Sequence, residues 1–209
     1  VKLNPEDNKE NLAAEYLAEL EALPERLRKR FLLGEYGDAI AGALWTDDLI
    51  DCYRSTGTEL PQLVRVVVSV DPSGSGDEDN AHNDAIGIVV AGLGIDGNGY
   101  LLEDLTCKAG PKVWGNLAVT AYDRHRADVI VAETNYGGEM VRFVIEAARK
   151  GVPFRKLTAS RGKAVRAEPI AALTEQGKIR FAGRFSQLED ELCAFTTNGY
   201  IGSQSPNRA

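Results

Sequence analysis

Three apolar stretches with very little chain between them, followed by helix and strand in alternation, restrict what this sequence can fold into more than any other feature. Arg65 to Asp71 carries Val66, Val67, Val68 and Val70, a β-branched run that reads as a buried strand. Ala85 to Ala91 is a second apolar strand, and the tight turn Asp96-Gly97-Asn98-Gly99 leads into a third, Tyr100 to Leu105. Strands joined this closely, with no crossover helix between them, are expected to pair antiparallel. After them the period changes. Pro111 opens a helix in which Val113, Trp114, Leu117, Ala118, Ala121 and Tyr122 recur at helical spacing. Asp128 to Glu133 is a short strand, a helix from Gly138 to Lys150 stops at Gly151, and Phe154 to Leu157 is a further strand. A helix from Lys163 to Gln176 stopped by Gly177, the strand Lys178 to Phe181 and a helix from Ser186 to Phe195 complete the pattern.

Consecutive strands followed by alternation predict an α/β architecture, a mixed sheet flanked by helices, which is the element order of a ribonuclease H-like core. Ahead of it lies a helical lead-in. Asn11 is placed to cap a helix with Leu12, Tyr16, Leu17, Leu20 and Leu23 on one face, and Pro24 opens a second short helix carrying Leu27 and Phe31 up to Gly34. Thr46, followed by Asp47 and Asp48, starts a third whose buried side is Leu49, Ile50 and Tyr53. The expected division is a lead-in over residues 1–60 and one α/β domain over 61–209. A net charge of −7 argues against a surface that binds nucleic acid all over, and leaves room for a local basic patch. Cys52, Cys107 and Cys193 are far apart and odd in number, which signals neither a disulfide framework nor a zinc site and suits a reducing, intracellular setting. No apolar run reaches membrane-spanning length, so no membrane partner is expected.

In such a sheet the strand Val66 to Val70 is central, and Val129 to Ala132 lies beside it in parallel, because a crossover helix separates it from the hairpins. Asp71 and Glu133 then emerge side by side. Two carboxylates held together repel each other unless a cation sits between them, which points to a hard divalent ion such as Mg²⁺ or Mn²⁺. Two such ions roughly 4 Å apart would activate a water and stabilise the leaving oxygen in phosphodiester cleavage. The competing reading is two strand-terminal acids that never meet, and topology alone leaves both open. Ser160-Arg161-Gly162-Lys163, with Arg166, sets three cations around a helix start, where free N–H groups favour phosphate and a DNA-backbone role; a solvated basic face is the alternative. Other patterns lead nowhere. Gly92, Gly94 and Gly97 fit a dinucleotide fingerprint without the helix it requires, and no phosphate loop of an ATPase occurs. His82 and His125 lack partners at ligand spacing, and Asp77, Glu78 and Asp79 lack the glycine and final acid of a calcium loop.

Val131-Ala132-Glu133-Thr134-Asn135-Tyr136-Gly137-Gly138-Glu139-Met140, followed by Ala159-Ser160-Arg161-Gly162-Lys163 and Arg166-Ala167-Glu168-Pro169, resembles tailed-phage large terminase subunits. Phe31-Leu32-Leu33-Gly34-Glu35-Tyr36-Gly37 is similar to that family's segment between ATPase and nuclease, and Leu188-Glu189-Asp190 and Ser205-Pro206-Asn207-Arg208-Ala209 to its closing motifs. The resemblance implies a ribonuclease H-like endonuclease that cuts concatemeric double-stranded viral DNA during packaging, with a triad of acids holding two Mg²⁺ or Mn²⁺ ions. It implies Asp71 and Glu133 as the first two acids. The third is an Asp that directly follows an Asn-Arg-Ala motif like Asn207-Arg208-Ala209, where this sequence stops, so impaired metal binding is expected of this segment alone. Asp84, just ahead of the second strand, is a supplementary metal candidate, against a strand-entry acid that faces solvent. The implied partners are double-stranded DNA, an ATPase domain of the same parent chain, the small terminase subunit and the portal, and the implied place is the procapsid in the cytoplasm of an infected bacterium. Two further readings stay open: a DNA clamp or docking module with a dormant nuclease, and another ribonuclease H-like enzyme such as a junction resolvase.

Overall fold

The computed structural model describes residues 5–22, 28, 31–32, 40–55, 60–72, 85–133, 138–202 and 205–208. In chain order the helices are α1 (Ala14–Glu21), α2 (Asp47–Cys52), α3 (Pro111–Arg124), α4 (Gly138–Ala148), α5 (Lys163–Glu175) and α6 (Ser186–Cys193). The strands are β1 (Leu63–Asp71), β2 (Gly87–Gly94), β3 (Gly99–Asp104), β4 (Val129–Glu133), β5 (Phe154–Leu157), β6 (Ile179–Phe181), β7 (Phe195–Thr196) and β8 (Gly199–Tyr200). Six strands form one mixed sheet in the order β5-β4-β1-β2-β3-β6. The closely joined β1, β2 and β3 are antiparallel neighbours, while β4 joins β1 in parallel and β5 and β6 extend the two sides in parallel. β1 is therefore central, as its uninterrupted valine run requires.

The period-2 alternation of β1 sorts its side chains between two cores. Val66, Val68 and Val70 turn to one face, where Ile88, Val90, Ile130 and Ala132 meet Trp114 and Ala118 of α3 and Val141 and Ile145 of α4. The two helices pack tightly because Gly115 of α3 has no side chain: a Cβ there would lie 2.6 Å from Val144 Cγ1. On the opposite face a smaller core gathers Trp45, Ile50, Ala171, Phe181 and Phe195. Both tryptophans are packing residues, each 2 % exposed.

Part of the lead-in belongs to that second core. Thr46 caps α2 by accepting from the Leu49 N–H at 3.2 Å, and Ile50 is fully buried. The chain leaving α2 runs beside β6, where the Phe181 N–H donates to Tyr53 O at 3.1 Å and the Ser55 N–H donates to Phe181 O at 2.8 Å. Arg54 anchors this added edge. Its guanidinium donates to both carboxylate oxygens of Glu189 at 2.7 and 3.0 Å and to Asp51 at 2.8 Å, and it also donates to Gly183 O. Burial works against the charge, yet the bonds to Glu189 and Asp51 outweigh it and push the Arg54 pKa upward.

Two local expectations change. Asn11 does not cap a helix; it ends a 3₁₀ segment, Pro5–Asn11, with its amide donating to Asn8 Oδ1 at 2.7 Å, and α1 starts beyond it at Ala14 without a side-chain cap. The last helix ends at Cys193, and Phe195 opens the two-residue hairpin β7–β8, in which Thr196 Oγ1 donates to Gly199 O. Most of the helix expected from Pro24 to Gly34 lies outside the described residues. Among the described residues no helix is long and apolar enough to cross a membrane.

Candidate active site

Asp71 and Glu133 are brought together by parity and register. Asp71 has the opposite parity to the buried Val66, Val68 and Val70, and Glu133 the opposite parity to the buried Ile130 and Ala132, so both leave the main core for the other face. The parallel register pairs Val70 with Ala132, which sets the two acids at neighbouring positions on adjacent strand ends. Both line one cleft of about 480 Å³, with Leu157, Lys163, Arg166 and Ile170 along its walls. Trp45 reaches the same cleft from the lead-in and meets Phe195 edge to face at 6.4 Å.

The cations of the basic stretch lie against these acids. Lys163 Nζ donates to Asp71 Oδ2 at 2.6 Å and to Pro206 O at 2.6 Å, and Arg166 Nη1 donates to Glu133 Oε2 at 2.9 Å. Lys163 occupies the first position of α5, where the helix dipole disfavours a positive charge; the Asp71 carboxylate compensates. Arg161 is exposed, just ahead of the Gly162 N-cap. Asp84, His82 and the acidic run Asp77, Glu78 and Asp79 fall outside the described residues. His125 meets Glu103 instead, with Nε2 2.8 Å from Glu103 Oε2.

The segment 205–208 reaches the edge of the site, where Pro206 O accepts from Lys163 Nζ. Gly87 stands opposite Asp71 in the β1–β2 register, and a Cβ on it would lie 1.9 Å from Asn207 O and 3.3 Å from Asp71 Cβ. Only glycine admits this crossing of backbone over strand. Asn207 is buried, and its Oδ1 has no hydrogen-bond partner among the described residues. Among the described residues no group of three or more His, Cys, Asp or Glu side chains gathers as a complete ligand set. The donors present nevertheless suit a hard divalent cation: two carboxylates at adjacent strand ends, with a repulsion between acids that the neighbouring cations offset.

Comparison with known families decides what this arrangement belongs to. The family described as Terminase RNaseH-like domain matches residues 68–208, which include the end of β1 with Asp71, β4 and the closing segment. The chain belongs to this terminase family. Sequence comparison with curated proteins finds no match. Among solved structures, the nuclease domain of the large terminase subunit gp2 of bacterial virus Sf6 superposes with a TM-score of 0.53 at 16% identity, over 79% of this chain and 94% of that one. The large terminase nuclease from thermophilic phage G20c with bound magnesium gives 0.53 at 16% identity, over 80% and 93%. The human cytomegalovirus terminase nuclease domain gives 0.52 at 14% identity, over 78% and 89%. At these identities the likeness speaks for the fold, a ribonuclease H-like mixed sheet flanked by helices, and the terminase domain described here has it.

Proposed function

We propose that this terminase domain is a metal-dependent endonuclease that cuts concatemeric double-stranded DNA during viral genome packaging, by two-metal phosphodiester hydrolysis. The observation that carries the reading is the pairing of Asp71 and Glu133 at adjacent ends of parallel strands in one cleft. These two residues would hold the ions, Mg²⁺ or Mn²⁺. When bound, the ions supply an activated water and stabilise the leaving oxygen. The family's third acid, which follows an Asn-Arg-Ala motif, would arrive on the segment that already crosses Gly87.

Lys163 and Arg166 neutralise the acids. A bound ion would replace their counter-charge and leave both side chains to contact phosphates beside the exposed Arg161. Contacts of this kind carry no sequence information, which suits an enzyme that meets many sequences. Duplex DNA is thus the direct partner, and an ATPase domain, the small terminase subunit and the portal at the procapsid follow from the family reading.

The test is nicking of supercoiled plasmid in Mg²⁺ or Mn²⁺. Asp71→Asn and Glu133→Gln should each abolish nicking with the fold intact, because removing a ligand charge weakens the metal. A variant that cuts like wild type refutes the assignment. The ion pairs on both acids also favour a second reading, a DNA clamp with a dormant nuclease, and wild-type protein that retains DNA without cutting it would establish that one. A preference for branched DNA would point to a junction resolvase.

A further inference from the structure

The segment that crosses Gly87 is held from its far end. The Arg208 main-chain N–H donates to Glu191 Oε2 at 2.8 Å, and its Nη1 donates to Glu191 Oε1 at 2.8 Å. Nη2 donates to Gln187 Oε1 at 2.5 Å, while Nε makes an ion-pair contact, too long for a hydrogen bond in this geometry, with Asp104 Oδ2 at 3.4 Å. Arg208 is 18 % exposed and both acids 12 %, so solvent screens these contacts less than it would at the surface. The residue two positions earlier does something different. Pro206 O accepts from Lys163 Nζ, the same ammonium that contacts Asp71.

We infer that Arg208 is a positioning residue of the active site: clasped by Glu191 of α6 and Asp104 of β3, it fixes the segment 206–208 so that the Pro206 carbonyl holds the Lys163 ammonium on Asp71. The inference rests on the reading of Asp71 as a site acid and adds how its counter-charge is aimed. An ammonium on a flexible four-carbon stem has no preferred direction of its own, so two fixed oxygens are what give Lys163 one. Arginine suits the clasp because its planar fork presents several donors at fixed angles, which lysine cannot copy. Gly87 completes the device by leaving room for the Asn207 carbonyl. Any side chain there drives the segment off β2 from the opposite side to Arg208, so two distant substitutions should produce one phenotype.

The decisive measurement is the ¹⁵Nζ–H₃⁺ nuclear magnetic resonance signal of Lys163 in the metal-free chain, assigned by its loss in Lys163→Arg. A hydrogen-bonded ammonium exchanges slowly with water and gives a resolved signal. Arg208→Lys and Gly87→Ala should each speed that exchange roughly tenfold or more, the factor expected for losing one charge-assisted hydrogen bond. The amides of Val68 and Ile130 in the sheet should keep wild-type protection. Glu191→Gln keeps the shape of the clasp and drops its charge, so it should move the signal in the same direction even if the other two variants fold poorly. An unchanged Lys163 signal in Glu191→Gln and in whichever of the other variants folds overturns the inference. Because no metal or DNA is present, that outcome is separate from failure of the nuclease reading, which the plasmid assay decides.

Discussion

Removing the Lys163 ammonium should make the site bind a divalent cation more tightly. Lys163→Met keeps most of the stem that lines the cleft and deletes the charge. The ammonium lies 2.6 Å from Asp71 Oδ2, a contact that would be worth several kcal/mol in a dry interior. Both side chains are 28 % exposed, however, and pairs that water can reach deliver about 1 kcal/mol or less. Adding the bond to Pro206 O brings the total to about 1–2 kcal/mol. A metal ion must offset that interaction before it can use the Asp71 carboxylate, so its loss should tighten Mn²⁺ binding about 5- to 30-fold. Calorimetric titration at low salt, where screening is weakest, reads this directly. Arg166→Met should act in the same direction but less, since Arg166 is 41 % exposed against Glu133. An affinity unchanged or weakened in Lys163→Met would show that the ammonium does not compete with the ion, and the account of Lys163 as the counter-charge of Asp71 would fall.

Arg54→Ala strands Glu189, 2 % exposed, as a buried charge without its partner, and should lower the unfolding free energy by about 3–5 kcal/mol in urea melts. Arg54→Met with Glu189→Leu should recover most of that loss, because a well-packed apolar pair can replace a buried ion pair. Arg161→Ala should weaken binding to unrelated duplexes alike and reduce the salt slope by about 1, whereas loss confined to one sequence would contradict a phosphate role. The Tyr100 hydroxyl, first among its partners, holds the Asp96 carboxyl below the usual carboxylate range, with Asn98 assisting. A carboxyl lowered on folding stabilises the hairpin above its unfolded pKa and loses that contribution as pH falls through its folded value, so the stability gap between wild type and Asp96→Asn should close below about pH 4.

The sheet was legible because its evidence is local and repeated. The valine run of β1, the Asp96 turn and the Pro111 helix each state their period within a dozen or so residues, and the spacing between them decides parallel from antiparallel. Asp71 and Glu133 could be paired for the same reason: strand ends follow from topology, and parity does the rest. What the chain order does not encode is direction in space. Lys163 and Arg166 read as phosphate ligands because composition shows a charge but not the carboxylate it faces, and here the carboxylates belong to strands 92 and 33 residues upstream. Gly87 gave no signal at all, since a glycine that makes room for a distant carbonyl looks like any other glycine before a strand. The hairpin β7–β8 was hidden by its length, two residues a side, too short for alternation to show. Asn11 was misjudged because a capping residue competes with other local turns, and the 3₁₀ segment claimed it.

Helix α6 grips the chain on either side of the sheet, at Arg54 of the lead-in and Arg208 of the closing segment. Glu189 faces Arg54 of the lead-in, and Glu191 faces Arg208 of the closing segment; two residues apart on a helix, they project about 200° apart, to opposite sides. The helix therefore joins the lead-in to the closing segment through two charged contacts. Thermodynamic reciprocity makes the connection measurable: if a cation at Asp71 shifts the pose of the lead-in, whatever fixes that pose changes the cation affinity by the same factor.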